Sequence, residues 1–189
     1  GLLHMLREGG LDVDRDVRIV QNLPSKSESH SYDGIRALQE NVADGFWGNG
    51  MRVALAEKAG IGKLHLDLRR GDGPAGALHY NFAALTMTDA LIRKEPEVAA
   101  AAVRAIVATQ KALKADPSLT KRVGDELFPG EVAELMPILI GRDAPFYNAT
   151  ITPQAIDGLN KFAISNGLLD RPLAYEQTAA AQFADIWQG

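Results

Sequence analysis

Through the first 68 residues, segments with helical apolar spacing alternate with short β-branched runs, a pattern that few architectures satisfy. Leu2, Leu3, Met5 and Leu6 give one apolar side to a short helix that Gly9-Gly10 stops. Val17, Ile19, Val20 and Leu23 favour a strand over 16–23, which Pro24 ends. The polar loop Ser25-Lys26-Ser27-Glu28-Ser29-His30-Ser31 follows. Ser31 or Asp33 can cap the next helix, in which Ile35, Leu38 and Val42 recur at helical spacing. A core strand is expected over 42–47, a helix from about 50 to 59 ended by Gly60 and Gly62, and a third strand over 63–68. In that last segment Leu64, Leu66 and Leu68 alternate with His65 and Asp67. Strands separated by helices pair in parallel through right-handed crossovers, with helices covering the sheet. The expected class is therefore α/β.

The alternation breaks at Arg69-Arg70-Gly71-Asp72-Gly73-Pro74-Ala75-Gly76, a turn that lacks the Walker lysine and the GxGxxG phase of a nucleotide loop. Residues 77–87 form one more extended segment, and no strand is convincing beyond it. Pro96 opens a long alanine-rich helix with Val98, Ala99, Ala102, Val103, Ile106, Val107 and Leu113 as its buried stripe. Asp116-Pro117 starts a helix running to about 127, and another spans about 131–140. Thr152-Pro153 is a cap-plus-proline start for a helix containing Ile156, Leu159, Phe162 and Ala163, ended by Asn166-Gly167. The tail, 175–187, is helical again, with Phe183, Ile186 and Trp187 for docking.

Composition excludes several classes. A net charge of −4 leaves no basic footprint for nucleic acid, and zero cysteines remove thiolate catalysis, disulfides and cysteine-based metal sites. No apolar run approaches the roughly 20 residues that span a bilayer. His4, His30, His65 and His79 are scattered, with no HExxH and no carboxylate cluster, so neither a metal nor any other cofactor is expected. GxSxG and a credible nucleophile–base pair are also missing. The first residues read as a helix already under way, as in a fragment or a late-cut mature form.

The candidate site is Trp47-Gly48-Asn49-Gly50, where the core strand would give way to a helix N-terminus, the place where open α/β sheets put ligands. Its glycines allow close approach to backbone amides, and the helix start suits an anion. Trp47 can stack on a flat ligand, Asn49 can both donate and accept, and Arg52 adds charge one turn in. The alternative is a strand–turn–helix joint with a core tryptophan. Asp44 reads as a structural hydrogen-bond partner, the serine loop as solvated, and the aromatics of Asp143-Ala144-Pro145-Phe146-Tyr147 as packing.

Several phrases, in order, carry a resemblance: Gly10-Leu11-Asp12 with Asp16-Val17-Arg18-Ile19-Val20; Ile35-Arg36-Ala37-Leu38 running into Val42-Ala43-Asp44-Gly45; and Tyr80-Asn81-Phe82 with Ala83-Ala84-Leu85. Then come Glu95-Pro96-Glu97-Val98, Ile151-Thr152-Pro153, Gly167-Leu168-Leu169 and Pro172-Leu173-Ala174-Tyr175. Over nearly the whole chain, the sequence resembles ABC-transporter substrate-binding proteins of the nitrate/sulfonate/taurine and thiamine-pyrimidine-precursor family. The resemblance implies a type II periplasmic-binding-protein fold in a partial two-lobe form. Residues 1–78 would be the second α/β lobe, 79–87 an interlobe crossing strand, and 88–189 a mainly helical part completing the first lobe. Complete members carry a further N-terminal segment, so part of the cleft wall would lie outside these residues. Tyr80 and Asn81, with His79, would face the cleft at the crossing.

The implied function is a receptor that holds a small solute in an interlobe cleft and docks on a membrane permease of an ABC importer, in the periplasm or an equivalent extracytoplasmic space. It is not an enzyme, and neither nucleic acid nor membrane insertion enters. The helix start and Arg52 suit a sulfonate, nitrate or carboxylate; Trp47 suits an aromatic such as a pyrimidine. One alternative is a ligand-sensing regulatory domain. The other is a thiamine-pyrimidine biosynthetic enzyme, whose fungal examples use a cysteine-rich motif that has no counterpart here.

Overall fold

The computed structural model describes residues 1–20, 33–73 and 83–188. In chain order they form α1 (Leu2–Glu8), α2 (Asp33–Gln39), α3 (Gly50–Lys58), α4 (Asp89–Lys94), α5 (Pro96–Ala115), α6 (Leu119–Leu127), α7 (Gly130–Asp143), α8 (Pro153–Ser165), α9 (Tyr175–Thr178) and α10 (Ala184–Trp187). Short 3-10 turns at Leu68–Arg70, Ala144–Phe146 and Ala181–Phe183 fill connections. The fold is all-α: 61% of the described residues are helical, and they form no strand.

This overturns the expected α/β class and, with it, the type II periplasmic-binding-protein fold and its sheet-built lobe over 1–78. The reason lies in where the backbone groups of the expected strands go. A strand exists only when a neighbour takes its N–H and C=O groups, and β-branched composition does not supply one. The N–H groups of Val42 and Ala43 donate to the carbonyl of Ala37 (2.8 and 3.2 Å), closing the end of α2 with Asn41 in the left-handed region (φ 54). The carbonyl of Val42 accepts from the Arg18 guanidinium at 3.4 Å, so the segments expected as paired strands meet through a side chain. In 63–68 the N–H of Leu64 donates to Glu57 Oε1 and that of Asp67 to Asp72 Oδ2. Of the expected crossing strand, 79–82 lie outside the described residues and 83–87 form no regular structure.

Local rules place the helix ends. Gly10 (φ 84) follows α1, and Gly167 (φ 68) follows α8, where the Leu168 N–H returns to the carbonyl of Ala163 at 2.8 Å. Thr152 Oγ1 accepts from the Ala155 N–H at 3.1 Å ahead of Pro153. The start of α4, capped by Thr88 on the N–H of Leu91, is a helix where the sequence suggested none.

The core divides into small clusters. Ala99, Ala100 and Val107 of α5 pack with Phe183 and Trp187 of the tail, flanked by Met87, Ile92 and Ile151. The expected stripe of α5 is only partly inward, for Val98 and Ile106 are 54% and 47% exposed. A second cluster joins Ile35 of α2, Leu55 and Ala56 of α3 and Leu135 of α7, with Phe46 against it. His4 of α1 meets the Phe162 ring of α8 edge-on at 5.2 Å. Asn160, buried on α8, clamps Leu173 by accepting its N–H and donating to its carbonyl.

Candidate functional site

Residues 42–49 lead from α2 into α3, and Asn49 ends them as the N-cap. Its backbone is extended, and Oδ1 accepts the Arg52 N–H at 3.1 Å. That satisfies one of the donors left open at a helix start. The Asn49 Nδ2 group has no hydrogen-bond partner among the described residues, and the side chain is exposed. Trp47 is 42% exposed, with its indole edge on Gly1 of the α1 start: a Cβ there would stand 3.4 Å from Nε1. The structural alternative of a core tryptophan is therefore not what forms. Asp44 is exposed.

Gly48 serves packing. A Cβ on it would stand 2.8 Å from the ring edge of Phe46, and one on Gly34 would meet Phe46 Cγ at 2.7 Å. The two glycines hold the Phe46 ring between them. Gly50, the first residue of α3, lies under the end of α7; its Cβ would meet Arg142 Nη2 at 2.9 Å and Asp143 Oδ2 at 3.4 Å. The Arg142–Asp143 ion pair thus lies beside the start of α3.

Asp143 belongs to a charge cluster that draws together segments distant in sequence. Arg69, on the 3-10 turn Leu68–Arg70, grips Asp67 with two nitrogens (Nε–Oδ1 2.9 Å, Nη2–Oδ2 2.7 Å) and reaches Asp143 Oδ2 with Nη1 at 2.7 Å. Its guanidinium sits 5.5 Å from the centre of the Phe146 ring, within cation–π range. Arg142 Nε bonds Asp143 Oδ1 at 3.0 Å. Beside them, Arg70 and Asp72 pair at 2.6 Å, with Gly71 left-handed between them (φ 80). The hydrogen bonds from Arg69 outweigh burial and hold the Asp67 carboxyl below its usual range; the same bonds raise Arg69 further. Burial pushes the Tyr147 phenol up, and the charge of Asp143 adds to it.

The structure therefore brings Trp47, Gly48, Asn49 and Arg52 together at the start of α3, with Arg52 half-buried. Tyr80, Asn81 and His79 lie outside the described residues. Sequence reasoning missed Asp67, Arg69, Arg142 and Asp143. The signal it passed over was the alternation of opposite charges in Asp67-Leu68-Arg69-Arg70-Gly71-Asp72, read only as a turn. A shallow groove of about 580 Å³ runs between α3 and α7, with Lys58 and Glu134 3.5 Å apart on it and Leu135 and Ile138 in its wall. Among the described residues no three His, Asp or Glu side chains assemble into a metal site, and no helix is long and apolar enough to cross a membrane.

No protein-family model, curated protein or solved structure matches this chain.

Proposed function

We propose that the chain is a solute-binding receptor of an ABC importer, and that its ligand contacts Trp47 and Asn49. One observation carries the site: an indole 42% exposed stands two residues from an amide whose NH₂ has no partner among the described residues. Tryptophan is large enough that most of its surface is normally buried, and a flat apolar face with a donor two residues on suits a heteroaromatic ring with an acceptor at its edge. Within the ligand classes that the sequence suggests, the exposed Trp47 supports the aromatic, pyrimidine-like one. The importer role, the permease as partner and the extracytoplasmic location rest on the ordered sequence phrases quoted above. The two-lobed cleft is no part of the proposal, because the described residues are all-helical.

The test is a fluorescence titration with pyrimidines, sulfonates and nitrate. Buried Trp187 serves as the internal reference for exposed Trp47. A pyrimidine-class ligand should quench Trp47 saturably, and Trp47→Ala should weaken binding at least about tenfold, as loss of a central aromatic contact does. Asn49→Asp keeps a good helix cap while removing the NH₂ donors, and should also weaken binding. Parent-like binding by both variants would sink the assignment.

A further inference from the structure

Helix α6 carries its apolar stripe on the outside. Leu119, Val123 and Leu127 recur every fourth residue and are 45%, 46% and 68% exposed. The residues it buries are Thr120 and Gly124. Helix α7 lies hard against that face: a Cβ on Gly124 would stand 3.0 Å from Met136 Sδ and 3.3 Å from Ala133 Cα. A helix this amphipathic ordinarily turns its stripe toward a packing partner.

The charges beside the stripe indicate which partner. At 3.6 residues per turn, Thr120 and Gly124 flank the stripe on the α7 side, and Arg122 and Glu126 flank it on the open side. Both are exposed, and neither is in an ion pair among the described residues. Lys121 and Asp125, on the far side of the helix, pair with each other at 2.6 Å. Arginine four residues before glutamate is the weaker order for pairing within a helix, which leaves the two charges for an external partner.

We propose that a second copy of this chain docks across α6, antiparallel, about a two-fold axis passing at Val123. The pattern is self-complementary in that arrangement, as an isologous interface requires. Leu119 meets Leu127 of the second copy, Val123 meets its counterpart, and Arg122 of each copy faces Glu126 of the other. A parallel pairing would instead set the charged flank against α7. Nine residues make a helix only about 13 Å long. The patch is small beside the ~800 Å² per partner of a standard interface. The pair is therefore a transient one that forms with rising concentration.

Sedimentation of the full chain from micromolar to near-millimolar concentration tests this. The parent should show a monomer–dimer equilibrium. Arg122→Glu and Glu126→Arg should each weaken it at least about tenfold, since like charges then face each other twice. An equal mixture of the two single variants should dimerise again, as every facing pair is then of opposite sign; the double variant should also recover. Circular dichroism of each variant should match the parent, so that loss of dimer is not loss of fold. A parent that stays monomeric throughout, single variants that dimerise as the parent does, or a mixture no better than its components would each overturn the proposal.

Discussion

Replacing Arg69 by Met tests whether the charge cluster holds the 67–72 turn to the end of α7. The change keeps a long aliphatic stem and removes every guanidinium donor. Asp67, whose side chain is 9% exposed, loses its ion-pair partner, and Asp143, at 13%, loses one of its two and keeps Arg142. Removing one member of a fully buried ion pair costs about 3–5 kcal/mol, whereas exposed pairs are worth about 0.2–1 kcal/mol. The Arg69 side chain is 37% exposed, which places this site between those limits, at about 2 kcal/mol. Loss of the Phe146 contact adds about 0.5 kcal/mol. For a domain of this size, such a loss lowers the urea midpoint by about 1 M. The pH dependence gives a second readout. The carboxyl of Asp67 is depressed on folding, so its contribution is complete above the ordinary carboxylate pKa near 4 and fades as pH falls below it. In the Met variant the same carboxyl is buried without a counter-charge, so protonation relieves a penalty. The gap between parent and variant should be widest near neutrality and close on acidification below about pH 4. Urea titrations at a series of pH values check both. A midpoint shift corresponding to less than about 0.5 kcal/mol, or a gap independent of pH, would refute the argument.

Two further perturbations address the packing around the site. Asn160→Ala leaves both backbone groups of Leu173 without their partners, and should cost about 2–3 kcal/mol in urea melts with faster hydrogen exchange at the Leu173 amide. Gly34→Ala pushes a methyl to 2.7 Å from Phe46 Cγ, the root of the ring rather than a yielding tip; a loss of about 1–3 kcal/mol is expected despite the better helix former. An unchanged thermal midpoint in Gly34→Ala would show that Phe46 is not held between Gly34 and Gly48.

The helical half of the fold was legible because its signals are local. Thr152-Pro153, the glycines at 10 and 167 and the alanine-rich run after Pro96 each act within a turn of the chain, and the structure uses them at those positions. The start of α3 near residue 50 was legible for the same reason, although the Asn49 cap that sets it was read as a ligand contact. The phase of a helix is a different matter. Val98 and Ile106 fit the apolar stripe of α5 as well as Val107 does, yet only contact with Phe183 and Trp187 decides which residues turn inward.

The strands that were expected and do not form, and the charge cluster that was not expected, share one physical reason. Each is a statement about a partner far along the chain. A β-branched run becomes a strand when another backbone takes its hydrogen bonds, and here helix ends and side chains such as Glu57 and Arg18 take them first. In the same way, Arg69 beside Gly71 and Asp72 looks like an ordinary turn until Asp143 comes within 2.7 Å of it. The cluster also reaches the start of α3. A helix start with glycine and asparagine reads as an anion site when the chain is followed residue by residue. With the Arg142–Asp143 ion pair next to Gly50, the proposed ligand contact rests on the exposed face of Trp47. On the function proposed above, a ligand with a ring of its own is the one that would stack there.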